Sequence, residues 1–272
     1  MSVISLFIVV CIAILTLAIS RQIWAKKAFK QRSLSGISGI LLFIKLIKIT
    51  QQHRGMHSGF LSGNHDCKEK LNQLELGIDQ LYKSLLAFET LHAYPASRSV
   101  QYPIKQWQRL MHHHTLSSAE SFQLHSGLIA RQLDAIWDMS DEFSLTSHPH
   151  ENIRDAAKQL VKTLPELAES VGQVRALCMQ IASKHEMRAD KKLQLVFTLG
   201  KIEDHIKTLI TPLPSLCNER LNQFISNINR HIQNSTLDKE NPDILFEQAT
   251  QVIDEIYDFI FIGFKTLEDD IS

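Results

Sequence analysis

Two arginines stand where helical periodicity calls for apolar residues. In the stretch 34–62, Ile40, Ile44 and Ile47 define an inward stripe whose continuation at helical spacing is Gln51, Arg54, Ser58 and Leu61. In the stretch 165–186, Ala168, Val171, Cys178 and Ala182 form a stripe of small apolar residues with Arg175 in its middle. A guanidinium buried without a partner is costly, so each arginine requires an anion. That anion is either a carboxylate of the chain, giving structural ion pairs, or a bound ligand. The planar fork of a guanidinium suits a small planar oxyanion, and two forks from different helices can clamp one. Gly55, Gly59 and Gly63 repeat at i, i+4 beside Arg54. Glycine in a helix interior costs about 1 kcal/mol against alanine, so this row points to a close approach by a helix or a small ligand.

The elements that must position these residues are helices. Apolar positions recur every three or four residues, as in Leu195, Leu199, Ile202, Ile206 and Leu209, and again in Leu245, Ala249, Val252, Ile256, Ile260 and Leu267. No comparable stretch alternates with period two. Prolines mark boundaries, Asn241 precedes Pro242 in a first turn, and Ser117 with Glu120 forms a capping box. The spacing predicts helices over 34–62, 66–93, 103–115, 117–144, 151–163, 165–186, 189–210, 215–234 and 242–270. The expected fold is all-α, with an N-terminal transmembrane helix followed by long antiparallel helices in two up-down bundles.

Residues 3–19 carry no charge, and a helix of this run covers about 25 Å, near the short end for a bilayer core. Nothing basic precedes the run, whereas Arg21, Lys26, Lys27, Lys30 and Arg32 follow it. This order favours a retained anchor over a cleaved signal peptide. It places the N-terminus outside and the remainder in the cytoplasm, with the five cations near anionic headgroups. The division expected is 1–32 as anchor and basic juxtamembrane segment and 33–272 as a helical domain.

The formal net charge of zero is thus a sum of unlike parts. Beyond residue 32 there are 24 Lys and Arg against 29 Asp and Glu. With no basic stripe bearing interleaved aromatics, nucleic-acid binding is not expected. Cys11, Cys67, Cys178 and Cys217 form no C-x-x-C pair and read as reduced thiols. The run His112-His113-His114 and the pair His53 and His57 lack further convergent ligands, so no metal is expected. Glu89-Thr90-Leu91-His92 is a lone E-x-x-H where a di-iron bundle needs two, and no P-loop, G-x-G-x-x-G, G-x-S-x-G or H-E-x-x-H occurs. The expectation is a non-enzyme without cofactors.

Three segments give a resemblance. The stretch 51–64, QQHRGMHSGFLSGN, resembles the Q-x-[EH]-R-G-L-S-x-G-[FY]-L pattern of the nitrate- and nitrite-sensing (NIT) domain family. The stretch 171–183, VGQVRALCMQIAS, is similar to that family's Gly-Gln-x-Arg segment, and 246–261 is similar to its terminal Thr-x-x-Ile-Asp helix. The resemblance covers about residues 36–270 and implies a nitrate or nitrite pocket between helices with an arginine from each of the first two motifs. Those positions match Arg54 and Arg175. Gly55, Ser58 and Gly59 are expected beside them, and His57, which stands where the pattern has Ser, is expected at the pocket as a titrating group. Family members carry an output module, whereas the sensing region here runs to Ser272, so the output is expected in a separate, unidentified partner protein. A homodimer is compatible with this reading.

Overall fold

The computed structural model describes residues 3–61, 63, 65–113 and 115–272. Among the described residues every regular element is helical. The first helix, α1, is Val3–Leu61. It is followed by α2 (Lys68–Leu91), α3 (Gln101–Met111), α4 (Ser118–Glu142), α5 (Glu151–Lys158), α6 (Leu164–Lys184), α7 (Ala189–Lys207), α8 (Ser215–Asn234) and α9 (Pro242–Ile271).

Two boundaries differ from the periodicity reading. The expected division at residues 32 and 33 falls inside α1, which runs unbroken from the apolar segment into the helical body. No Gly-Pro or Pro signal interrupts it, and the polar stretch between the two apolar runs is built of good helix formers. The break expected at Pro165 is also absent. A wide turn, Gln159–Thr163, joins α5 to α6, with the Leu164 N–H donating to Gln159 O. Proline lacks an N–H and crowds the preceding turn. Pro165 sits in the first turn of α6, just after this five-residue turn, where the wider path accommodates its ring without ending the rod.

The start signals act as capping chemistry predicts. Ser117 Oγ accepts from the Glu120 N–H at 3.2 Å while the Ser117 N–H donates to Glu120 Oε2 at 2.9 Å. Asn241 Oδ1 accepts from the Asp243 N–H at 2.8 Å. Each such cap satisfies donors that the helix leaves open.

Packing follows the apolar stripes. Helix α1 lies mainly against α2 and α4, while α6 lies against α7 and α9, and α1 also meets α9 and α6. The buried residues Ile37, Ile40, Phe43, Ile44, Leu46 and Ile47 make α1 the spine of the core. Each such side chain stabilises by about 1.5–3 kcal/mol relative to exposure. Before this core, Ile12, Leu15, Leu17, Ile19, Ile23 and Trp24 of the same helix are exposed. This one helix is long and apolar enough to cross a membrane.

The helix leaves that segment and meets the body at residues 30–33. Lys30 Nζ donates to Ser272 O, Arg32 Nη2 to Glu142 O at 2.9 Å, and Ser33 Oγ to Phe143 O at 3.3 Å. Two of the five cations expected at lipid headgroups are therefore engaged with the C-terminal ends of α4 and α9.

Close approach of α1 to its neighbours here depends on Gly36 and Gly39. A Cβ on Gly36 would stand 2.3 Å from the Cβ of Phe143, and one on Gly39 would stand 2.5 Å from the Phe88 ring. Alanine raises helix propensity by about 1 kcal/mol, but the overlap costs about 1–3 kcal/mol. The collision wins at Gly36 because the atom it meets is a Cβ that moves only with its backbone. We expect Gly36→Ala to lower the unfolding midpoint of the chain in detergent, measured by thermal denaturation. A raised midpoint would mean that α1 and the α4 end are not in contact as described.

Candidate functional site

The site is built where α1, α6 and α9 meet. Gln51 and Arg54 lie on the buried face of α1, and Arg175 on the buried face of α6, because the apolar stripes of both helices pass through these positions. Arg54 is 1% exposed and Arg175 3%.

Arg54 has found a carboxylate. Its Nη1 donates to Glu169 Oε1 at 2.6 Å and to Ser126 Oγ at 3.0 Å. Glu169 also accepts from Gln173 Nε2 at its Oε1 and from Gln51 Nε2 at its Oε2, each at 2.9 Å. Gln51 in turn accepts from the Tyr257 hydroxyl at 2.9 Å, so this one side chain ties α1 to α6 and α9. Burial, and then Glu169, push the Tyr257 phenol well above its ordinary range. The Nη2 of Arg54 is buried without a hydrogen-bond partner.

Arg175 has found none. Its Nη1 donates to Thr250 Oγ1 at 2.8 Å and its Nη2 to Gln51 O at 3.4 Å, both uncharged acceptors. The guanidinium carbon lies 4.6 Å from the centre of the Phe246 ring, a cation–π contact. Burial, with Arg54 as the second cause, lowers the Arg175 pKa to about 10. Even so the group stays charged at neutral pH. The two guanidiniums act on each other as like charges, and Glu169 offsets one of them.

Gly172 makes room for this arrangement on α6, whereas a Cβ on Gly55 of α1 would make only ordinary van der Waals contact. A Cβ on Gly55 of α1 would stand 3.5 Å from Arg175 Nη2, and a Cβ on Gly172 of α6 would stand 2.9 Å from Arg54 Nη2. Gly59 and Gly63 do not share this role, since a Cβ on either would meet nothing within 4 Å. Gly63 instead takes a φ of +103° in the turn after α1, a conformation glycine adopts without penalty.

Beside Arg175 lies a cavity of about 400 Å³. Gly55, Ser58 and Gly59 line one wall, Arg175 and Gln180 another, with Ser118 and Phe246 closing the sides. Ser58 Oγ and Ser118 Oγ share a hydrogen bond of 2.6 Å on its wall. Of the residues expected at an anion, Arg175, Gly55, Ser58 and Gly59 therefore share one cavity. Arg54 stands behind it, turned toward Glu169.

His57 faces elsewhere. One residue along a helix is a rotation of about 100°, which turns His57 toward α4 rather than toward the cavity. Its Nδ1 is 2.7 Å from Ser121 Oγ, and its ring stacks on His53 at 5.4 Å. His125 completes a triangle of imidazoles, its Nε2 sharing a hydrogen bond of 2.7 Å with His53 Nδ1. Glu75 and Trp107 close this cluster on the α2 and α3 sides. Among the described residues no three His, Cys, Asp or Glu are arranged to hold a metal ion. Of the other histidine run, His112 and His113 are exposed and His114 lies outside the described residues, as do Ser62 and Asn64 of the first motif. Glu89 of the lone E-x-x-H accepts from the Val100 N–H at 2.8 Å and from Ser99 Oγ, and so anchors a loop.

Sequence reasoning missed Glu169, Thr250 and His125 as partners. A signal existed for Glu169, which lies one turn before Gly172 and Gln173 on the same helix, while an arginine on an apolar stripe demanded an acid. No family model, curated protein or solved structure matches the chain.

The histidine triangle makes stability depend on pH. Burial, and then His53, lower the His57 pKa from 6.5 to about 4 and that of His125 well below its ordinary value. A histidine depressed in the folded state binds its proton more strongly when unfolded. The stability it contributes is complete above about 6.5 and is lost as pH falls toward 4. We expect the urea midpoint of the chain to drop between pH 7 and pH 5, and the drop to shrink in His125→Gln. An unchanged slope in that variant would place the titration elsewhere.

Proposed function

We propose that the chain is a membrane-anchored sensor that binds nitrate or nitrite between helices α1, α6 and α9. The observation that carries this reading is Arg175, a buried guanidinium with uncharged acceptors only, set at the wall of a cavity. A buried cation without a carboxylate is expensive, and a small anion in the cavity would complete it by charge-assisted hydrogen bonds. Arg54, behind the cavity, would add its field. Gly55 and Gly59 would keep the wall open to a small ligand, and Ser58 would bring a hydroxyl near. The resemblance of the three motifs to the NIT family names nitrate and nitrite within the class of small oxyanions. It also implies the arrangement of the helices in two up-down bundles.

In this reading the apolar part of α1 crosses the bacterial inner membrane once, with the N-terminus outside and the helical body in the cytoplasm. The exposed apolar side chains of residues 12–24 support the crossing, and the cations that follow them support the orientation. The change on binding passes to a partner protein.

One observation favours a second reading. The Arg54–Glu169 pair is what a helical scaffold without a ligand would contain. In a scaffold, however, Arg175 would gain nothing from nitrate.

The two readings separate in the full chain in detergent, by thermal unfolding in nitrate, nitrite, chloride and sulfate at matched ionic strength. A ligand at 100 times its Kd stabilises by about 2.7 kcal/mol. We expect a shift with nitrate or nitrite alone, and Arg175→Ala to abolish it while the protein stays folded, since that change removes an unpaired charge. Identical curves in all four salts would sink the sensor reading. Arg54→Ala is a different case. It strands Glu169 in the interior, and we expect it to cost about 3–5 kcal/mol in the absence of any ligand.

A further inference from the structure

Three charged side chains are buried together at the junction of α1, α6 and α9, Arg54, Arg175 and Glu169, beside the neutral phenol of Tyr257. Asp254 also acts on Arg175, but it is committed to Lys48 Nζ at 2.8 Å. The buried trio therefore carries one positive charge in excess. Both oxygens of Glu169 are occupied, Oε1 by Arg54 and Gln173 and Oε2 by Gln51, so the carboxylate is fixed in place. Glu169 is 6% exposed at the edge of an open cleft, so solvent relaxes its charge only in part, and it acts on an anion that enters beside Arg175.

We infer that Glu169 determines the charge of the anion the site accepts, by holding the excess at one and so admitting a monovalent oxyanion while rejecting a divalent one. This rests on the anion-binding reading above. A monovalent anion at Arg175 brings the buried cluster to neutrality. A divalent one leaves a net negative charge in the interior, with Glu169 as its like-charged neighbour. The discrimination is then a difference between two buried charge states, and it works by repulsion as much as by attraction. Glu166, Asp204, Lys201 and His205 line, together with Glu169 itself, an open cleft distinct from the cavity at Arg175. They face the same pair in every variant considered below, so they do not alter the comparison. Neither Arg54 nor Glu169 lines the cavity, so its lining is the same in every variant and a change in preference reports charge.

The test is calorimetric binding of sodium nitrate and sodium sulfate to the full chain in detergent, in a gluconate background of fixed ionic strength. The wild type is expected to prefer nitrate. Glu169→Gln raises the excess to two, and we expect the nitrate-to-sulfate preference to fall by about tenfold or more, as removal of a close like charge requires. Glu169→Asp keeps the charge and should keep the preference. The double variant Arg54→Met/Glu169→Met removes one charge of each sign, so the excess stays at one. It should bind nitrate more weakly yet still prefer it, and replacing a buried pair by apolar residues is compatible with folding. If the wild type binds nitrate and Glu169→Gln keeps the same preference, the inference is wrong and the sensor reading stands. Loss of the preference in the double variant also overturns it, and decides the matter if Glu169→Gln does not fold. If the wild type binds neither salt, the sensor reading fails and takes this inference with it.

Discussion

Two guanidiniums held in the same interior govern the centre of this molecule. Moving a cation out of water is costly, and placing a second beside it adds repulsion. The surroundings of Arg54 and Arg175 read as responses to that constraint. Glu169 supplies a carboxylate to the first. Thr250, the Gln51 carbonyl and the Phe246 ring supply dipoles and a π face to the second. Gln51 contributes from both ends, its side chain bridging Glu169 and Tyr257 and its backbone accepting from Arg175. Helices α1, α6 and α9 are thus held together by a polar network inside an otherwise apolar junction. Such networks stabilise only when nearly every member is satisfied. The member left short is Arg54 Nη2.

Much of this was legible in the sequence, for a physical reason. A helix shows its buried face through period, and a charge on that face stands out against leucines and isoleucines. Arg54 and Arg175 were found in that way, and the helical class follows from the same periodicity. What periodicity does not contain is pairing across helices. Glu169 lies 115 residues from Arg54 along the chain, and Glu166, one turn earlier on the same helix, is an equally near acid, so only the packing selects between them. The glycine row misled in part for the same reason. Gly172, which lies outside that row, makes the close contact with Arg54, and only the packing shows it.

His57 illustrates the limit at finer grain. Neighbouring positions on a helix point about 100° apart, so being adjacent to a cavity-lining serine argues against sharing its cavity. The imidazole instead joins His53 and His125 in a neighbouring cluster between α1 and α4. Boundaries were the other weak point. A change of function along α1, from exposed apolar surface to buried core, leaves its backbone hydrogen bonds untouched, and so leaves no break for a composition shift to mark.

That continuity matters for how an anion could be sensed. The distance along α1 from Arg32, beside the ends of α4 and α9, to Arg54 is roughly 33 Å at 1.5 Å per residue. A ligand shifts an arrangement of helices only by the difference in its affinity for the two arrangements. In the proposed sensor that difference has a definite origin. Arg175 is on α6 and Thr250 on α9, while the glycine wall, Ser58 and Arg54 are on α1. An anion held by the first pair and admitted by the second set is bound well only at one spacing of α1 against α6. Without an anion the one unbalanced cation, Arg175, lies against the Arg54–Glu169 pair, and an anion beside it would remove the imbalance. In the proposed sensor α1 is one helix from Arg54 to the apolar segment, so a change of spacing at Arg54 has a continuous path along it. That path passes the contacts of Lys30 and Arg32 with the ends of α9 and α4.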